Sequence, residues 1–181
     1  IPHTHCMTPI RLVKPCVGVE ELEMLHGVME RAWLGRGPLC KAFEDQWNAQ
    51  LGFAASTAVN SGTAALHLAC LAFGLPKGRK VLVPAMTFCS TANAPIYCGL
   101  EPVFVDVNEA TLSMDLEDLE RKYTNDCVAV IPVHFGGHPA QMEVIVPWAR
   151  ARHLKVIEDC AHVAGVIYQG KRLGAWGDIG C

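Results

Sequence analysis

The sequence lacks several features that would each point to a class of protein. It has no excess of basic residues: 15 Lys and Arg stand against 18 Asp and Glu, for a net charge of −3 at pH 7. No basic stripe marks a face, which argues against nucleic acid as a partner. No apolar run approaches the length of a membrane span, and the first residues lack the charged start and apolar stretch of a secretion signal. The nine cysteines are odd in number, scattered, and form no CxxC pair. Sites such as Cys70, Cys89 and Cys98 lie in apolar stretches, so the cysteines read as reduced core thiols of a cytosolic protein. No GxGxxG follows an apolar strand and no Walker A sequence occurs, which discounts the dinucleotide and P-loop nucleotide sites. Repeats, linkers and low-complexity tracts are absent. His3, His5 and Cys6 could ligate a metal, but they stand alone near the start, short of the ligand count a real site needs. The expectation is no metal.

Apolar residues make up 51% of the chain and charged residues 18%. Aromatics are only 7%, so Ala, Val, Leu, Ile and Cys carry the apolar content. That balance suits a buried, mostly parallel sheet covered by helices on both faces. Residues 1–18 read as irregular, broken by Pro2, Pro9 and Pro15. Residues 20–33 place Leu22, Leu25, Met29, Ala32 and Trp33 at helical spacing, and a second helix over 39–51 is built on Phe43 and Trp47.

From residue 57 the pattern alternates. Strands are expected at 57–60, 80–83, 102–107, 128–133, 155–158 and 163–168. Helices are expected at 62–73, 90–98, 116–123 with Asp115 as cap, and 141–153. Alternation of this kind predicts an α/β open sheet. Ligands of such sheets sit beyond the carboxyl ends of the strands. Four loops meet that condition: 61–63, 86–88, 134–138 and 159–162.

Each loop holds residues with chemical potential. Ser61, Gly62, Thr63 and Ala64 open a helix, where exposed amides and the helix dipole favour an anion such as a phosphate. The same residues also suit an ordinary N-cap by Ser61 or Thr63. Glu158 and Asp159 end an apolar strand, followed by His162. An aspartate there suits a protonated ring nitrogen of pyridoxal phosphate (PLP); a metal ligand or a loop-capping acid are the other readings. Phe88 reads as a ring that stacks on a flat cofactor or as a core residue. His134 reads as a site residue or a hydrogen-bonded core histidine.

Seven stretches, in order, carry a resemblance: WLGRGP at 33–38, VNSGTAALHLA at 59–69, VLVPAMTFCSTANA at 81–94, PVFVDV at 102–107, VIPVHFGG at 130–137, VIEDCAHVAG at 156–165 and GKRLGAWGDIGC at 170–181. The chain resembles the sugar aminotransferases of the DegT/StrS-like family, which have PLP fold type I. The resemblance implies that residues 19–181 form part of the large PLP-binding domain. It implies that Gly62, Thr63 and Ala64, with Ser61, hold the cofactor phosphate and that Phe88 stacks on its ring. It further implies that Asp159 pairs with the pyridine nitrogen and that His162 lies beside the phenolic oxygen. Asp159 and His162 are thus the catalytic candidates in this span. The implied reaction moves an amino group from glutamate or glutamine to a nucleotide-linked keto sugar, in a homodimer. In the family the Schiff-base lysine and a small C-terminal domain follow the GDIGC-like stretch. Cys181 is the last residue here, and none of the seven lysines matches that position, so the chain alone is expected to be inactive. A sugar dehydratase of the same family and a non-catalytic binding module are the alternatives.

Overall fold

The computed structural model describes residues 14–181. His3, His5 and Cys6 therefore lie outside the described residues. The elements are α1 (Val19–Glu30), α2 (Pro38–Leu51), α3 (Gly62–Ala72), β1 (Lys80–Pro84), α4 (Ser90–Tyr97), β2 (Glu101–Val105), α5 (Leu116–Lys122), β3 (Cys127–Val130), a single 3-10 turn (Phe135–Gly137), α6 (Met142–Ala151), β4 (Lys155–Glu158), β5 (Ile167–Tyr168), β6 (Lys171–Arg172) and β7 (Ile179–Gly180). They fall into two compact units that divide between Ala42 and Phe43, inside α2.

In the first unit, α1 begins where the Gly18 amide donates to Glu21 Oε2 at 2.6 Å. It stops at Glu30, earlier than its apolar spacing predicts, because Ala32 turns into the left-handed region (φ 50°). No residue of α1 is buried. Leu22, Leu25 and Met29 form the expected stripe, yet all three stay exposed.

The second unit is built on a sheet of order β2-β1-β3-β4-β7, parallel at every neighbour. Strand residues alternate between two cores, as the period of two requires. Leu82, Val130 and Val156 face one side with Leu119 of α5 and Met142, Ile145 and Ala149 of α6. Val81, Val83, Ala129 and Ile157 face the other with Leu66, Ala69 and Cys70 of α3 and Ala92 and Ala94 of α4. The absence of polar alternation in the strands is thus a consequence of burial on both faces.

Several boundaries differ from the sequence reading. Residues 57–60 form no strand; Ala58 instead gives its amide to Glu44 Oε1 at 2.8 Å. β2 ends at Val105 because the Asp106 amide is taken by the Asp118 carboxylate at 2.7 Å, and Val107 bridges Met114. β3 ends at Val130, though Val133 still makes one parallel bridge to Asp159. The expected strand 163–168 shrinks to β5, since the amides of Val163 and Val166 close local turns on Cys160 and Val163. The sequence reading also missed β7, the strand beside β4.

β7 is held by a buried acid. Glu158, fully buried at the end of β4, accepts from Gly177 N at 2.6 Å through Oε1. Its Oε2 accepts from Gly174 N at 2.8 Å and contacts His134 Nε2 at 3.2 Å. In the segment that supplies the two amides, Gly177 lies against β4 and Gly180 against Gly174 too closely for a side chain at either position. A Cβ on Gly177 would fall 2.7 Å from the Val156 carbonyl oxygen, and one on Gly180 would fall 2.5 Å from Gly174 Cα.

Glutamine at position 158 has the same shape but keeps only one acceptor oxygen, and turns an NH₂ toward at least one of these donors. Glu158→Gln is expected to cost about 2 kcal/mol, or a fall of roughly 4–8 °C in Tm for a chain of this size. A thermal melt that matches wild type would remove Glu158 from this role.

Candidate functional site

Strand order places the site. The chain passes from β1 to β2 on one side, then returns to lay β3, β4 and β7 on the other. The reversal opens a crevice between the carboxyl ends of β1 and β3, the position where open α/β sheets bind ligands. The loop before α4, residues 134–138 and residues 159–162 all leave strands at that end. They are three of the four loops singled out from sequence; the fourth is joined to them through α4.

That fourth loop is the start of α3. Ser61 is extended (φ −164°, ψ 157°) and caps the helix, its Oγ accepting from Ala64 N at 3.1 Å. Its carbonyl accepts from Ala65 N. The cap therefore uses the Ala64 amide and leaves those of Gly62 and Thr63 as the remaining first-turn donors. Among the described residues, nothing beyond its chain neighbours and its own helix backbone lies within 4 Å of where a Gly62 Cβ would be, so the backbone is open on that side. The N-cap reading is met by Ser61, and it leaves two amides uncapped. Thr63 Oγ1 lies 2.6 Å from Ser90 Oγ, which ties the turn to the first residue of α4.

Asp159 sits just past β4, with its backbone locked in the ladder: its amide donates to Pro132 O and its carbonyl accepts from His134 N. The side chain is buried. Oδ2 accepts from Thr91 Oγ1 at 2.8 Å, and Oδ1 accepts from Ala161 N at a longer 3.3 Å. Thr91 Oγ1 in turn lies 2.7 Å from Thr87 Oγ1. Phe88, next to Thr87, is 73% exposed, so the core reading of this ring does not hold. The structure thus joins Thr63, Ser90, Thr91 and Asp159 in one run of contacts. Sequence reasoning missed Ser90 and Thr91. The available signal was the run of hydroxyls at Thr87, Ser90 and Thr91 leading from the β1 loop into the first turn of α4.

The two histidines separate clearly. His134 is fully buried; its Nδ1 accepts from Ala140 N at 3.0 Å while Nε2 faces Glu158. It is a hydrogen-bonded core histidine. His162 is exposed, and its Nδ1 accepts from Gly136 N at 3.0 Å. A nitrogen that accepts carries no proton, so Nε2 bears the hydrogen and His162 presents a donor. Phe135 packs edge-on against this ring, centroids 5.7 Å apart.

Other chemistries fit less well. His134, Glu158 and Cys160 bring ligand atoms within 4.8 Å of one another, but both nitrogens of His134 and three donors on Glu158 are already committed. Burial, reinforced by the charges of Glu158 and Asp159, pushes the Cys160 thiol well above the usual range. Burial likewise raises Cys181 and Cys70 to about 12. These thiols stay protonated and poorly nucleophilic at neutral pH. All described cysteines are free, and Cys89, expected in the core, is exposed on the loop beside Phe88. A cavity of about 720 Å³, lined by Phe43, Trp47, Phe53, Leu68 and Cys181 among others, includes none of the candidate site residues. Among the described residues no helix is long and apolar enough to cross a membrane.

Comparison with known proteins gives a consistent picture. The chain is 40% identical over 174 residues to the GDP-perosamine synthase of Escherichia coli O157:H7, covering 96% of this chain and 48% of that protein. It superposes with a TM-score of 0.88 on the PLP form of a Streptococcus pneumoniae protein described as a sugar aminotransferase, at 25% identity, covering 94% of this chain and 47% of the other. It also matches the structure of GDP-4-keto-6-deoxymannose-3-dehydratase with bound GDP-perosamine, at a TM-score of 0.83 and 26% identity, over 88% of this chain and 43% of that one. The chain spans about half the length of the relatives it matches. With residues 15–181 matching the family profile, the chain belongs to the DegT/DnrJ/EryC1/StrS aminotransferase family, whose cofactor is PLP.

Proposed function

We propose that this span is the cofactor-binding part of an aminotransferase that moves an amino group from glutamate or glutamine to a nucleotide-linked keto sugar. The observation that carries the reading is Asp159: a buried carboxylate at the switch-point crevice, oriented by Thr91, with Oδ1 only weakly engaged. Its surroundings suit the three parts of PLP. The Gly62 and Thr63 amides offer two donors to the phosphate, aided by the α3 dipole. Phe88 offers an uncovered aromatic face to the ring. His162 Nε2–H offers a donor to the phenolic oxygen. When bound, PLP supplies the electron sink; the carboxylate of Asp159 keeps the ring nitrogen protonated, so that the sink is effective.

The nucleotide-linked sugar is supported by the name of the E. coli relative. A sugar dehydratase is the second reading, favoured by the likeness to the GDP-4-keto-6-deoxymannose-3-dehydratase. Products separate the two: an amino sugar in the first case, loss of a hydroxyl in the second. The 181-residue chain by itself is inactive on this reading, because no lysine is placed to hold PLP. Lys80 and Lys155 open β1 and β4, at the ends remote from the crevice, and Lys171 Nζ lies over the Trp176 ring, 5.4 Å from its centroid.

Three outcomes are expected. In a protein of the relatives' full length containing this span, Asp159→Asn keeps PLP bound but lowers amino transfer on the order of a thousandfold; near-normal turnover with PLP bound would sink the assignment. Phe88→Ala weakens PLP binding by about 1 kcal/mol, roughly fivefold. Its Tm should match wild type, since the ring is largely exposed, and a large drop in Tm would return Phe88 to a structural role. The 181-residue chain incubated with PLP and reduced with borohydride should show only scattered labelling of lysines. One stoichiometric modified lysine, mapped by mass spectrometry, together with amino transfer by the chain, would overturn the claim of inactivity.

A further inference from the structure

We propose that Thr91, with Thr87 behind it, is a positioning residue that sets the plane of the Asp159 carboxylate and couples it to the loop of Phe88. This rests on the reading of the crevice as a PLP site.

Thr91 is completely buried in the first turn of α4. A buried threonine in a helix commonly spends its hydroxyl on a carbonyl one turn back. Here it reaches across the sheet to Asp159 Oδ2, 68 residues away in sequence. A hydroxyl has one proton. Since a carboxylate oxygen can only accept, the proton of Thr91 goes to Asp159. In the 2.7 Å contact between the two threonines, Thr87 is therefore the donor and Thr91 the acceptor. The run has one direction: Thr87 to Thr91 to Asp159.

The terminal torsion of an aspartate is broad and weakly self-restrained, so the plane of its carboxylate is set by its partners. Asp159 has two. The Ala161 amide, at 3.3 Å and only two residues away, is a weak restraint on Oδ1. Thr91 holds Oδ2 at 2.8 Å from a different element. With Oδ2 fixed, Oδ1 is the oxygen left to meet a ring nitrogen. Thr87 precedes Phe88 directly, so the same run relates the carboxylate to the ring-stacking loop. Ser90, between them in sequence and bonded to Thr63, brings the phosphate turn into the same frame.

The test uses the 181-residue chain and pyridoxamine 5′-phosphate, which carries the phosphate, the ring and the ring nitrogen and needs no covalent attachment. Affinity is read by fluorescence titration. Ring-nitrogen protonation is read by NMR of the ¹⁵N-labelled compound. Thr91→Val, which keeps shape and loses the hydroxyl, should bind roughly tenfold more weakly, with the ¹⁵N signal moved toward the unprotonated ring. Thr91→Ser should restore both. Thr87→Val removes only the outer, half-buried hydroxyl without threatening the fold, and should move both readouts in the same direction by less. Thr91→Val with wild-type affinity and an unchanged ¹⁵N signal overturns the proposal. Loss of affinity in either variant with the ring nitrogen protonated as in wild type marks a packing effect and also overturns it. Wild-type chain that takes up none of the compound overturns the PLP reading itself, and the relay with it.

Discussion

The structure depends on the way a buried carboxylate at the end of β4 satisfies three N–H donors. Glu158 carries the full cost of removing a charge from water, which only strong and well-directed hydrogen bonds offset. It collects them from the amides of Gly174 and Gly177 and the ring of His134. The consequences spread in both directions. On one side the bonds draw the glycine-rich segment against β4, close enough for β7 to join the sheet. On the other they hold the end of β4 and the loop after β3, which meet again where Asp159 pairs with His134 and Pro132 through the backbone. Neighbouring acids thus differ: Glu158, the last residue of β4, holds the frame, and Asp159, just past it, keeps Oδ1 on a single long bond.

The start of α4 is the second organising element. Its first two side chains reach opposite parts of the site, Ser90 to the turn that opens α3 and Thr91 to Asp159. Short hydroxyl side chains suit this position. They are compact enough to be buried between α3 and the sheet, and each adjusts its single proton to the partner it meets. A site assembled from chain segments far apart in sequence gains a fixed geometry in this way without an ion pair, which would carry a larger desolvation cost in the same place.

Much of this was legible in the residues. The strands β1 and β4 and the helices α2, α3, α4 and α5 lie within a residue or two of their apolar patterns, and Asp115 caps α5 as its type and place suggest. The loops at the strand ends were recognisable because order alone places them. Two failures came where a side chain took a backbone amide. Asp118 ends β2 by taking the Asp106 amide, and Glu44 takes the Ala58 amide where a strand was expected. β7 was invisible because Asp178-Ile179-Gly180 has no apolar run. Its pairing is made by Asp178, whose carboxylate and amide both bond Val156 of β4, by the bonds of Glu158, and by a glycine that tolerates close backbone contact.

The sequence by itself determined the class of sheet, the order of its elements, the family and the residue types available for a phosphate, a ring and a ring nitrogen. These follow from local patterning and motif spacing, which act over a few residues. Only the tertiary structure decided which of two adjacent acids is fully engaged by three donors and which keeps a loosely held oxygen. It also decided which helix amides remain after capping, which histidine is core, and that the Thr91 hydroxyl meets Asp159. Those outcomes depend on how donors and acceptors from remote segments are matched once water is excluded, and a one-dimensional pattern does not encode that matching.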